Sequence, residues 1–530
     1  MARQAARGRL KALTSVKSGV VALVALAGAA CTQEAAAPAE TVAAAETVSS
    51  IPVPEGMPST REIYGFIQDL TSFGPRVTGS DAGIGAAEYI AAKFRTFGLS
   101  DVMIETGDAL QWSASNWSLS YADVSIPSFY MRHSSTTGEP RTFTTGPDGL
   151  TAQFIYVGEK TDLSGIDVKG KIVVADVALK QASTGDRTTS AYAVHDPKKN
   201  LDQAGIDKIN PFSPNLYPFN MASAQKGGAA GFIGILSNYM DSNRFYNEEL
   251  AYFVEDDLYF NIPGLWLTRE DGELLKKLIS EKADAGGTLR LDGAVKPVTY
   301  HTVIGYLPGQ SDETLMVQSH HDSGFLGAVE DASGVAEVLA LASYYGKQPL
   351  ESRKRRMMFI TMDTHFTEYE SHIDFVEKYL KGPKKQNIVG NVTLEHIALE
   401  MKIKDGKPVM SGEVEPRAIF ASPSFLELTA KHVRAHDYER TMVLDADKFT
   451  TDQWGISTDA GIFNAMGGVP VISLVTAPVY LYDIADTIDK IAVDELQPTA
   501  ILFKDIIDEL DEMPLAALRA GNADLSKRAE

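Results

Sequence analysis

Residues 314–342 read TLMVQSHHDSGFLGAVEDASGVAEVLALA. Thr314 to Ser319 is a short, largely apolar run of strand length. It ends abruptly in His320-His321-Asp322. A Gly-rich loop follows and carries Glu330 and Asp331. Ser333 then stands where a helix N-cap is expected, before an apolar helical pattern from Gly334 to about Tyr345. The stretch therefore predicts strand, polar loop and helix, the repeating unit of an α/β fold.

The unit recurs downstream. RMMFITM (356–362) and PVISLV (470–475) are apolar strands, and NVTLE (391–395) is strand-like. Helical patterns run over Tyr369 to Leu380, Phe425 to His436 and Leu496 to Leu510. Continuous apolar strands alternating with helices predict a mixed, mostly parallel sheet with helices on both faces. Upstream, Ile63, Phe66, Ile67 and Leu70 repeat at helical spacing, as do Ala87, Ile90, Ala91 and Phe94. The loop FGPRVTGS (73–80) separates them. The composition changes between these two blocks. Residues 123–295 contain short strands, many turns, a Gly-rich centre and a helix capped at Thr268. They hold no cluster of histidines with carboxylates. The expected organisation is one domain formed by 57–122 and 296–515, with 123–295 inserted as a separate, β-rich lobe.

At about 150 residues per domain, 530 residues suggest two to four domains. Hydrophobic residues at 44% and charged residues at 22% are ordinary for a soluble globular chain. The net charge of −21 disfavours nucleic acid and anionic membrane surfaces as partners. A small molecule or a peptide is the expected substrate. The single cysteine, Cys31, excludes an internal disulfide and a Cys-rich zinc module. Residues 1–31 read as a signal peptide, with a basic front and the apolar run VVALVALAGAA (20–30). Cys31 directly after that run resembles a lipoprotein cleavage site. Cleavage at an Ala-x-Ala site is the rival reading. An exported protein is expected, periplasmic or anchored at the outer membrane of a bacterium through Cys31. Residues 32–56 read as a flexible linker and 516–530 as a polar tail.

In open α/β sheets, ligands bind beyond the carboxyl ends of the strands. Those ends here carry His320-His321-Asp322, Asp363-Thr364-His365 and Glu395-His396, although the chain has only ten histidines. Each histidine alone would be satisfied by a strand-end hydrogen bond. As a set, with Glu330 and Asp331 nearby, they suit a divalent ion such as zinc. Asp322 is placed to orient His320. The spacing leaves open whether Glu330 or Asp331, and His396 or Glu395, faces inward, because a one-residue slip reverses a strand's faces. His133, His195, His301, His432 and His436 are read as structural.

These residues make the chain resemble the zinc aminopeptidases of peptidase family M28, with their glutamate carboxypeptidase and glutaminyl cyclase relatives. FGPRVTGS with the helix after it, SHHDS followed by GAVEDASGVAEVLALA, FITMDTHF and DTIDKI are similar to the family's successive motifs. The segment from about Gly165 to Leu291 looks like its protease-associated (PA) domain. The resemblance implies a zinc-aminopeptidase fold and a metal site that has diverged. It places the first metal-binding histidine on His320 and its orienting aspartate on Asp322. The bridging carboxylate falls on Glu330 and the third-strand ligand on His396. The general base falls on His365. Two positions of a second metal fall on Phe366 and Tyr482, neither suited to the task. His320, Glu330 and His396 would hold one ion, Zn2+ or alternatively Fe2+. His365 would act as base, and Tyr482 would donate to a developing oxyanion.

The expected function is thus a single-metal hydrolase of an amide or peptide-type bond. The alternatives are a non-catalytic binding protein, or a lyase, cyclase or oxygenase on the same fold. Arg76 is read either as a substrate-carboxylate ligand or as a loop pin, and Asp459 as structural support.

Overall fold

The computed structural model describes residues 51–519 except 180, 183–187, 202–207, 210–215, 249–253, 256–257, 405–406 and 451–454. The signal segment, Cys31 and most of the linker lie outside the described residues, as does most of the polar tail. No helix among the described residues is long and apolar enough to cross a membrane.

Four parallel strands form the centre of the main sheet, in the order Arg355–Met362, Ser311–His320, Ile388–Leu394 and Val471–Val475. Arg417–Ala421 adds antiparallel to the last of these, and Thr441–Asp445 pairs parallel to it. On the other side, Gly287–Leu307 runs antiparallel to Arg355–Met362. The sheet is mixed, parallel at its core, and covered on both faces. Leu315, Val317 and Phe359 point to the face packed by helices Thr60–Thr71, Asp81–Thr96, Gly334–Gly346 and Leu496–Glu512. Met316, Met358, Ile360 and Met362 point to the other, against Phe375, Val376, Tyr379 and Phe463. This in-and-out alternation of uniformly apolar strands is why they read as continuous runs.

Ser100–Tyr121 pairs with Gly287–Leu307 along nearly its full length, from Ser100 opposite Tyr306 to Tyr121 opposite Gly287. This two-stranded ribbon leads from the main sheet to a second, five-stranded sheet. There the order is Phe129–Tyr130, Gly264–Leu267, Gly231–Leu236, Ile172–Val177 and Phe154–Gly158. Its core is built by Ile172, Val174, Ile233, Ile235, Leu265 and Leu267, with Leu275 of helix Arg269–Glu281. Thr268 caps that helix by accepting from the Asp271 amide, as its sequence predicts.

Ser333 does not cap the helix Gly334–Gly346. Its hydroxyl donates to the Val329 carbonyl and accepts from the Ile397 amide. Asp331 takes the Gly334 amide instead. The turn that reaches the helix is tight. Gly327 has φ 56°, and a Cβ there would come within 2.2 Å of the Glu330 carbonyl, so a larger residue is excluded.

One buried carboxyl in that helix carries a pH-dependent cost. Glu337 is fully buried, and neither carboxylate oxygen has a hydrogen-bond partner. Burial alone pushes its carboxyl well above the ordinary range. The folded state keeps this proton, whereas the unfolded chain releases it near pH 4.3. Stability from this group therefore falls as pH rises, by about 1.4 kcal/mol per unit until the folded pKa is passed. Glu337→Met is expected to flatten that slope and to stabilise the protein by about 1–3 kcal/mol at pH 8. Denaturant unfolding at pH 5 and pH 8 checks this. An equal effect at both pH values would contradict it.

Candidate functional site

The carboxyl ends of the central strands bring the expected residues together. His320 is the last residue of its strand and is fully buried. Its Nδ1 lies 3.2 Å from Asp322 Oδ1. Asp322 also accepts from the backbone amides of His365 at 3.2 Å and Phe366 at 2.9 Å, so one carboxylate ties two strand ends together. Glu330 is fixed from behind, because Asp486 accepts both the Val329 and Glu330 amides at 2.9 Å.

The two ambiguities of the sequence resolve by geometry. Glu330 points into the site, with Oε2 2.6 Å from His396 Nε2 and Oε1 3.2 Å from His320 Nε2. Asp331 points away and accepts from Ser319 Oγ and from the amides of Gly334 and His396. His396 faces inward from a left-handed backbone position, φ 61°. Its Nδ1 must donate to the Thr476 carbonyl, 2.8 Å away, which leaves Nε2 as the inward nitrogen. Glu395 turns aside and accepts the Asp459 amide.

His365 stacks on His320, with ring centroids 4.2 Å apart and planes at 15°. Its Nδ1 is 2.9 Å from Asp459 Oδ1, and its Nε2 is 3.2 Å from Glu248 Oε1. Asp459 holds His372 Nε2 with its other oxygen, at 3.2 Å. Asp459, expected only to support structure, is therefore a direct partner of the site. Tyr482 donates its hydroxyl to Glu248. Phe366 and Tyr482 meet edge to face with centroids 5.5 Å apart, and Tyr246 packs on Phe366. Apolar rings thus fill the place beside Glu330. A pocket lined by Tyr246, Phe325, Glu330, Phe366, Tyr482 and Asp486 lies next to them.

Arg76 is not available to a substrate. It is fully buried and donates to the carbonyls of His321, Leu326 and Gly327, each at 2.8 Å. Of its two readings, the loop pin is the one the structure supports.

The charges are strongly coupled. Burial opposes ionisation of Glu330, but His396 and His320 outweigh it and hold its carboxyl below the ordinary range. Burial likewise opposes protonation of His396, yet Glu330 brings it up to about 9. His365 is raised well above the ordinary histidine value. Burial and His320 pull it down, and Asp459 and Glu248 more than reverse them. Burial, then Glu248, keeps Tyr482 neutral. This cavity favours positive charge.

The donor set fits a divalent ion. One ligating atom each from His320, Glu330 and His396 can be chosen so that all lie within 4.8 Å of one another. His320 Nε2 and both Glu330 oxygens are buried without an aligned hydrogen-bond partner. Two imidazole nitrogens converging on one carboxylate suit zinc or a similar metal. His320, His365 and Asp459 form a second convergent set next to it.

Residues 302–506 match the model of peptidase family M28. The chain carries an M28 peptidase domain. Solved structures show the same fold. BSAP, a zinc aminopeptidase from Bacillus subtilis, superposes with a TM-score of 0.61 at 16% identity, covering 89% of this chain and 100% of that one. The peptidase M28 precursor from Shewanella amazonensis SB2B gives 0.59 at 16%, covering 87% and 93%. The aminopeptidase from Aneurinibacillus sp. strain AM-1 gives 0.55 at 20%, covering 85% and 93%. No curated protein matches the sequence. The matched residues include the four central parallel strands.

Glu248 and His372 escape the sequence reading altogether. Glu248 lies in the 123–295 segment, far along the chain from the strands it faces. His372 stands one residue past Ser371 on a helix whose apolar pattern hides it. Asp486 sits in DTIDKI, where the motif was legible but its task of holding two amides was not.

Proposed function

We propose that this M28-domain protein is a hydrolase with one divalent ion, zinc, held by His320, Glu330 and His396, and that it cleaves an amide or peptide-type bond. The observation that carries the proposal is the convergence of those three buried side chains, whose ligating atoms lie within 4.8 Å of one another. An ion bound there would supply Lewis-acid polarisation of the scissile carbonyl and would acidify water at neutral pH. The protein's own residues supply the rest. Asp322 fixes the tautomer and direction of His320. Asp459 orients His365 through Nδ1, so that Nε2 faces the site. His365 and Glu248, 3.2 Å apart, share a proton. His365, read from the sequence as the base, is held protonated by Asp459 and Glu248 and so takes the acid's part: Glu248 accepts a proton from the attacking nucleophile, and the His365 imidazolium returns one to the leaving amine. Tyr482, neutral and on the same side, gives its single hydroxyl proton to Glu248, and it would turn to a developing oxyanion once Glu248 has taken the nucleophile's proton.

The domain 123–295 is proposed as PA-like, and its described residue Glu248 as part of the active site. Export, with Cys31 as the anchor point, is proposed from the sequence of residues 1–31.

Chelation tests the function. Turnover of a peptide or aminoacyl-amide panel is expected to disappear on dialysis against chelator and to return with one equivalent of zinc. Restoration by iron(II) and not zinc would redirect the chemistry toward redox. Undiminished turnover in the metal-free protein would overturn the proposal. A second reading, a binding protein that has lost catalysis, draws on the aromatic filling by Phe366 and Tyr482. It predicts no turnover in any metal state.

A further inference from the structure

His432 and His436 stand one turn apart, at the end of helix Leu426–Ala435 and on the residue just beyond it. Residues four apart share a helix face. That face meets helix Leu496–Glu512, on which Asp505 and Glu509 are also one turn apart. His436 Nε2 lies 2.8 Å from Asp505 Oδ2, and His432 Nε2 lies 2.8 Å from Glu509 Oε2. The crossed order of the pairs makes the helices locally antiparallel. Ligating atoms of His432, His436 and Asp505 fall within 4.8 Å of one another. The imidazoles are 12% and 7% exposed, whereas the two carboxylates are 35% and 31% exposed, so solvent reaches the cluster from the carboxylate side.

We propose that these two helices bind a second divalent ion, zinc, through His432, His436 and Asp505, with the fourth position left to water. Each histidine–carboxylate pair now shares a proton that the ion would replace. A tetrahedral zinc with ligands at about 2.0–2.2 Å sets nitrogen and oxygen roughly 3.4 Å apart. The His436–Asp505 pair therefore needs to open by about half an ångström, while any wider separation in the set, at most 4.8 Å, needs to close. Asp505 holds Lys504 with its other oxygen, Oδ1, at 2.7 Å, so Oδ2 stays available. Lys504 also pairs with Asp508, and Lys431 with Glu509. Three carboxylates against two lysines leave one negative charge beside the histidines. The C-terminal end of helix Leu426–Ala435 also favours a cation. The bound ion would clamp the last long helix of the fold to its neighbour, away from His320, Glu330 and His396.

The test is zinc titration of the chelator-stripped full chain, read by elemental content, calorimetry and thermal unfolding. The His432→Gln/His436→Gln variant is expected to bind one zinc fewer than wild type and to lose part of the zinc-dependent rise in Tm. The dissociation constant of that zinc should be about 100 µM or tighter. An unchanged zinc count, or a weaker constant, would overturn the proposal. Asp505→Asn, a change on the exposed side, should give the same loss if the double variant folds poorly. His396→Ala should keep this zinc. If the catalytic ion does not exist, His396→Ala leaves the count unchanged while the histidine pair still lowers it, so the two proposals fail separately.

Discussion

His396→Ala is expected to remove the catalytic-site metal and turnover together while leaving the fold intact. His396 contributes one of three convergent donors, and its Nδ1 contact with the Thr476 carbonyl aims Nε2 at Glu330. Losing a partner that only orients a ligand weakens metal binding by about 10–100-fold. Loss of the ligand itself should exceed that, leaving metal content near background after gel filtration. The structural cost is modest. The residue 396 amide still donates to Asp331, and Thr476 still donates to the residue 396 carbonyl. The left-handed position at φ 61° costs any residue with a Cβ roughly 1–2 kcal/mol, which His396 already bears, so alanine adds little, and His396→Asn, which tolerates that region, serves as a second ligand-loss variant. Glu395→Gln is the control, because Glu395 turns away from the site. Elemental analysis beside turnover and circular dichroism decides the matter. Loss of metal in Glu395→Gln but not in His396→Ala would mean that the inward-facing ligand has been misassigned. Turnover that survives loss of metal would end the metallohydrolase reading.

What was legible in the sequence was local. A strand announces itself by an unbroken apolar run, and its end by the first polar residues, so His320, His365 and His396 could all be placed at one sheet edge. Side-chain direction beyond a strand end was not legible, because it depends on turns. The left-handed φ of His396 and the tight Gly327 turn decide which of two adjacent residues faces inward. Helix caps show the same limit. Ser333 has the right residue type at the right position, but Asp331, two residues earlier, is better placed to take the Gly334 amide. The ribbon Ser100–Tyr121 was missed for another reason. Its residues are half-exposed on both faces along most of its length, so no alternation marks it as a strand. Glu248 and Asp459 reach the site through long-range topology, and no period in the chain connects them to it.

Glu248→Gln is expected to lower kcat by about 10²–10³-fold at neutral pH with the metal still bound. The replacement keeps the size of the side chain and an oxygen that can accept from Tyr482, so the packing of Phe366 and Tyr482 should persist. What it removes is a negative charge 3.2 Å from His365 Nε2. Asp459 and Glu248 together hold His365 above the ordinary histidine value against burial and the neighbouring His320. Without Glu248 that balance shifts downward, and His365 loses its proton at a lower pH. If His365 delivers the proton to the leaving group, the alkaline limb of the kcat profile moves to lower pH in the variant. Asp459→Asn should move the limb the same way, because Asp459 acts on the other ring nitrogen. Asp459→Asn should also disturb His372, which shares that carboxylate, whereas Glu248→Gln should not. A structural role for Glu248 would lower kcat without moving the limb, and the pH profile separates the two. Unchanged kcat and profile would mean that the segment carrying Glu248 only covers the site, leaving His365 to act with Asp459 alone.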